Sequence, residues 1–228
     1  STLRALELET AFLSKDYARA IKREYGEPTT EQRAAITAAM KTKGGWSSLP
    51  VGLQAPVRAM RDHLDALSRN LMASGAVQDS LLPKIEENLG AYLTRSYQAF
   101  DDPKWKDKVD PEIVNRAVSF LREGYKKIGA PRSEAELQGL VRSMLDKADS
   151  PSGKLGSKDL SVLKKRKAIA PEIRALWGEY TDPMVNYTRS VSKMANILAN
   201  QAFLTEVRQA GMAGGWFAER PTVNDAGE

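Results

Sequence analysis

Six cations, Lys154, Lys158, Lys164, Lys165, Arg166 and Lys167, crowd one stretch of the chain with only Asp159 to oppose them. That stretch carries the whole net charge of +5, and the remaining sequence is formally neutral. Four consecutive cations, Lys164-Lys165-Arg166-Lys167, can displace counterions from a phosphate backbone without any fixed geometry. The segment is therefore the candidate contact for DNA, RNA or another polyanion. No aromatic side chain is interleaved as a stacking platform, so a solvated charge cluster is the competing reading.

Other chemistry finds little to build on. His63 is the only histidine and there is no cysteine. A zinc site would have to be mostly carboxylate, and neighbouring Asp62 points elsewhere around a helix. We read His63 as structural or surface. Glu86-Glu87 and Asp101-Asp102 are adjacent pairs, which cannot face each other across a glycoside. No serine sits in a Gly-x-Ser-x-Gly elbow. Gly153-Lys154-Leu155-Gly156-Ser157-Lys158 has neither the spacing nor the Lys-before-Ser order of a phosphate loop, and follows no expected strand. The sequence thus assigns no catalytic residue, no metal ligand and no cofactor, and an enzyme would need a neighbouring domain to complete its active site.

The elements around these residues read as helices. Leu6, Leu13, Tyr17 and Ile21 stripe a helix over 3–25, which Gly26 and Pro28 stop. Thr30 is expected to cap a second helix to Met40, and 46–52 is expected to be loop. Val57, Met60, Leu64, Leu67 and Leu71 mark a strong helix ending at Gly75. A further helix is expected over 81–89, while 90–100 is ambiguous between helix and irregular chain. Asp101-Asp102-Pro103 reads as a turn or cap.

Pro111 at a first helical position precedes Ile113, Ala117, Phe120, Leu121 and Tyr125, and Gly129 with Pro131 end that helix. Ser133 and Glu136 form a capping box ahead of Leu137, Leu140, Val141, Met144 and Leu145, giving a helical hairpin. Residues 150–157, rich in Gly and Ser, read as an exposed connection. Pro171 opens a short helix to Tyr180. Asp182-Pro183 caps the longest helix, running to about Ala210 with Tyr187, Val191, Met194, Leu198 and Ala202 on one stripe. The aromatics Tyr92, Tyr97, Phe100, Trp105, Trp177, Tyr180 and Tyr187 are expected to anchor cores, with interface contact as the second reading.

No fixed-period repeat and no sustained strand alternation appear. The expected fold is all-α, an irregular bundle of about seven to nine helices with a long C-terminal one. Four regions are expected: an N-terminal helical lobe over 1–52, central hairpins over 53–149, a basic exposed connection over 150–170, and a long-helix region with tail over 171–228. At 42% hydrophobic and 28% charged, the composition is that of a folding chain. There is no apolar run that could cross a bilayer and no secretion signal. Trp216-Phe217 before a polar tail leads us to expect a neighbouring segment that covers them, in a longer parent protein.

Three stretches carry a resemblance. One runs from Ile85-Glu86-Glu87-Asn88-Leu89-Gly90 through Tyr92-Leu93-Thr94-Arg95-Ser96-Tyr97 to Phe100-Asp101-Asp102-Pro103-Lys104-Trp105. Another is Leu155-Gly156-Ser157-Lys158-Asp159-Leu160-Ser161 with its basic run. The third begins Pro171-Glu172-Ile173-Arg174-Ala175-Leu176 and continues through Gly178-Glu179-Tyr180, Asp182-Pro183 and Asn186-Tyr187 to Lys193-Met194-Ala195. Together they resemble a segment of the very large multidomain polyvalent proteins of bacteriophages and related mobile elements.

The likeness covers roughly Val57 to Gly211 and is a pattern of spaced identities, without a catalytic signature. It implies packaging in the virion, delivery with the genome into the bacterial periplasm or cytoplasm, and partners among neighbouring domains or other virion proteins. A cysteine-free helical body suits passage through a narrow tail and refolding without disulfides. The expected function is a structural or interaction module of such a protein. A nucleic-acid-binding accessory domain using 154–167 is the alternative.

Overall fold

The structure, a computed structural model, describes residues 2–77, 79, 82–91, 93, 95–146, 164–165 and 168–216. The fold is all-α, as expected. The described residues form nine α-helices, two 3-10 turns and one ladder of two-residue strands. They divide into two compact units, Ser1–Thr94 with Asp182–Glu228, and Arg95–Thr181. These units do not follow the boundaries expected at 52, 149 and 170. The last helix packs with the first three through Tyr187, Val191 and Met194, a long-range return that local patterning does not show.

In the first unit, α1 (Thr2–Tyr25), α2 (Thr30–Met40), α3 (Val51–Ala73), α4 (Leu82–Glu87) and the long helix, here numbered α9 (Pro183–Ala213), are the elements. α1 buries Tyr17, Ala20 and Ile21, and α3 buries all five residues of its predicted stripe. α2 is capped by Thr29, one residue ahead of the expected Thr30. The Thr29 hydroxyl accepts from the Gln32 amide at 3.2 Å, and the Gln32 side chain accepts from the Thr29 amide at 2.8 Å. A reciprocal pair outweighs a lone hydroxyl. The expected loop 46–52 is instead a 3-10 turn, Gly45–Ser48, running almost directly into α3. The helix expected over 81–89 is α4.

α9 begins where Asp182 accepts from the amides of Met184 and Val185. It runs past Ala210 to Ala213. Tyr187, Val191 and Met194 are buried and Leu198 is partly buried, but Ala202 is exposed. The stripe therefore loses its cover about midway along the helix.

In the second unit lie α5 (Gln98–Asp101), the 3-10 turn Trp105–Asp107, α6 (Pro111–Lys127), α7 (Glu134–Asp146), strands β1 (Lys164–Lys165) and β2 (Ala168–Ile169), and α8 (Pro171–Leu176). Asp110 and Pro111 start α6. Ser133 and Glu136 make the expected capping box. Ala117, Leu121 and Tyr125 pack with Leu137, Val141, Ile173 and Leu176 in one apolar core. α8 stops at Leu176, short of the expected Tyr180. Gly178 there adopts φ +65°, and Glu179 bridges Tyr97 as an isolated antiparallel pair. In the ambiguous stretch 90–100, Tyr92 and Thr94 lie outside the described residues; the described ones are irregular as far as this bridge, and α5 follows.

Candidate functional site

The predicted polyanion contact is only partly described. Lys164 and Lys165 pair antiparallel with Ile169 and Ala168 respectively. Lys154, Lys158, Arg166 and Lys167 lie outside the described residues, as does the expected connection 150–157. The structure therefore places the backbone of two of the six predicted residues, on a short ribbon.

Polar side chains do gather in the interior of the first unit. Arg61 is buried; its guanidinium donates to Asp65 at 2.9 Å and to the Met40 carbonyl at 3.3 Å. Asp65 also accepts from the Gly90 amide at 2.8 Å. Burial lowers the Arg61 pKa, and the adjacent Asp65 carboxylate opposes that shift. The pair thus ties α3 to the end of α2 and to the turn after α4. The two terminal guanidinium nitrogens that make these bonds both find acceptors inside the protein, which is the arrangement of a structural pair.

His63 is also buried. Its Nδ1 lies 2.7 Å from the Tyr187 hydroxyl, while Nε2 stands 3.8 Å from Glu9, too far for a hydrogen bond. Burial lowers the imidazole pKa against the pull of Glu9, and burial raises that of the Tyr187 hydroxyl. Burial thus favours the neutral forms of both groups, and the hydrogen bond they share joins α3 to α9. At the start of α9, Arg33 bridges Asp182 beside Tyr17, whose pKa is raised by burial first and by Asp182 second. No group of three or more His, Asp or Glu residues among the described ones could hold a metal ion.

The second unit has a different centre. Tyr97 packs edge-on against both Phe100 and Trp177, with centroids 5.5 Å apart in each case. Glu179 pairs with Arg174 at 3.0 Å and Arg95 at 3.7 Å. Trp105 donates to the Leu176 carbonyl at 2.9 Å, and a β-carbon on Gly178 would stand 2.5 Å from its Cζ2. These aromatics anchor cores as expected, although Phe100 remains 38% exposed.

Sequence reasoning missed the outer surface of the first unit. Leu8 and Phe12 on α1, and Phe203, Leu204 and Val207 on the uncovered half of α9, stand exposed; Trp216, expected from the sequence to be uncovered, is 82% exposed, and Phe217 lies outside the described residues. The cations Arg4, Lys15, Arg19, Lys22 and Arg23 share the solvent side of α1 with Leu8 and Phe12. Counting charge along the chain hid them, because Glu7, Glu9, Asp16 and Glu24 on the other sides of the helix offset all but one of the five. Projecting the sequence on a helical wheel is the signal that would have found them.

The chain matches no family model, no curated protein and no solved structure.

Proposed function

We propose that this chain is a helical structural and interaction module of a phage-encoded, virion-associated giant protein, delivered with the genome, acting by contact and not by turnover. The observation that carries the contact reading is the exposed apolar set on α9. Phe203, Leu204 and Val207 fall at spacings that make them neighbours on one helix face, and clustered exposed apolar residues mark contact surfaces. The phage setting rests on the resemblance of spaced residues between Val57 and Gly211. Mass spectrometry of gradient-purified virions of the encoding phage tests it: peptides of this chain at a fixed ratio to the capsid protein are expected, and their absence overturns the reading.

A nucleic-acid contact through 154–167 is the second reading. It is favoured by the antiparallel pairing of Lys164–Lys165 with Ala168–Ile169, since a duplex major groove admits a two-stranded ribbon. Fluorescence anisotropy with labelled DNA and RNA, at two salt concentrations, compares the chain with a variant carrying Lys164→Ala, Lys165→Ala, Arg166→Ala and Lys167→Ala. Binding that falls steeply with salt and vanishes in the variant supports this reading, and no binding at low salt removes it.

A further inference from the structure

Successive residues of an α-helix are about 100° apart. On α1 this puts Arg4, Leu8, Phe12, Lys15, Arg19, Lys22 and Arg23 within an arc of about 120°. All seven are exposed. Glu7, Glu9 and Asp16 lie at the flanks of the arc, and no acidic residue lies inside it. None of the five cations forms an ion pair among the described residues; the Arg19 guanidinium Nε donates only to the Lys15 carbonyl, at 3.4 Å. The opposite side of the helix is fixed, with Tyr17, Ala20 and Ile21 buried and Leu6 and Leu13 packed against the same core. The outward face is thus held in place by the interior, yet nothing described in the protein neutralises it.

Leu8 and Phe12 are 65% and 64% exposed and stand one turn apart, so their side chains meet on the surface. We infer that this face docks on an anionic membrane surface, with the cations meeting lipid phosphates and Leu8 and Phe12 entering the boundary between headgroups and acyl chains. A nucleic-acid backbone would satisfy the cations but leave two large apolar side chains against hydrated phosphate and sugar. A lipid interface takes up both kinds of group at once, which is how basic amphipathic helices lie on membranes. The contact is peripheral, since no described helix is long and apolar enough to cross a bilayer. It does not depend on the phage setting or on the basic segment at 154–167.

The test is flotation of the full chain with phosphatidylcholine vesicles and with vesicles containing about 30% phosphatidylglycerol, with duplex DNA titrated in the same buffer. Two variants are compared, Leu8→Gln with Phe12→Gln, and Lys15→Gln, Arg19→Gln, Lys22→Gln with Arg23→Gln. All these side chains are exposed, so both variants should keep the far-ultraviolet spectrum of the parent. The expected result is binding to the anionic vesicles alone, weakened at least about tenfold in each variant. Vesicle binding that survives either variant overturns the inference. So does failure to bind anionic vesicles, whether or not duplex DNA is bound.

Discussion

The two units differ in what they keep inside and what they leave outside. The unit formed by 1–94 and 182–228 buries Thr37, Arg61, His63, Asp65, Ser68, Asn186 and Ser190, whereas among the described residues of 95–181 only Ser96 is a buried polar residue. Among the described residues, the first unit also carries nine of the eleven large apolar residues that stand exposed, with Phe100 and Ile128 the two in the second. One unit is an apolar core edged by an aromatic cluster. The other is a set of long helices packed on an apolar core of their own, with specific polar pairs set inside it and apolar and cationic side chains presented outward. A buried pair such as Arg61 with Asp65 adds less stability than apolar packing would, but its bonds to the Met40 carbonyl and the Gly90 amide fix where those segments meet α3. That suits a unit whose outer surface has to be held in a defined shape.

The sharpest way to break this contrast is to remove half of the buried ion pair. Asp65→Ala leaves the Arg61 charge buried without its carboxylate, and should cost about 3–5 kcal/mol in chemical denaturation. A loss below about 1 kcal/mol would mean that the polar interior is not what joins these helices. In the second unit the comparable site is apolar. Leu121→Ala should cost about 3 kcal/mol, seen by hydrogen exchange in α6, α7 and α8 while the amides of α3 keep their protection. Equal loss in both units would dissolve the distinction between them.

Gly178→Ala probes the aromatic edge of the second unit. The left-handed φ costs a side chain about 1–2 kcal/mol, and the contact with Trp105 adds to it. Faster exchange should appear at the Gln98 and Ala99 amides, which donate to Gly178 and Trp177; unchanged exchange would contradict the packing described.

The smallest effect concerns pH. His63 has a folded pKa below its unfolded value of about 6.5, so the unfolded chain takes up the proton first. The stability this group contributes is complete above that value and is lost as pH falls from it toward the folded pKa. His63→Gln should flatten the stability curve as pH falls below about 6.5, and a curve of unchanged slope would contradict a buried neutral imidazole.

What was legible in the sequence were the elements whose apolar residues repeat at helical spacing. α1, α3, α6 and α9 follow their stripes, and Ser133 with Glu136 announces α7. The misses have local causes. Gln32 decides between Thr29 and Thr30 as the cap by reaching back to the backbone. Trp177 and Gly178 leave the helix that Pro171 starts because the chain turns there to bridge Tyr97. Ala202 keeps the spacing of a buried residue on a helix that has already outrun its neighbours. Arg61 and Asp65 give no sign of burial, since a charged pair one turn apart reads as solvated until the Met40 carbonyl and Gly90 amide are seen beside it. Of the candidate contacts, the basic run was visible because its charges are consecutive, while the cationic face of α1 was not, because its charges are spread over five turns and all but one are offset by acidic residues on the other sides of the helix.

The central claim, that the first unit is the contacting half of an interaction module, is tested most directly by hydroxyl-radical footprinting of the protein in intact virions and after release. Lower labelling of Phe203, Leu204 and Trp216 in the particle, with Phe100 and Ile128 unchanged, is the predicted result. Equal labelling of both units, or protection confined to Phe100 and Ile128, would contradict it.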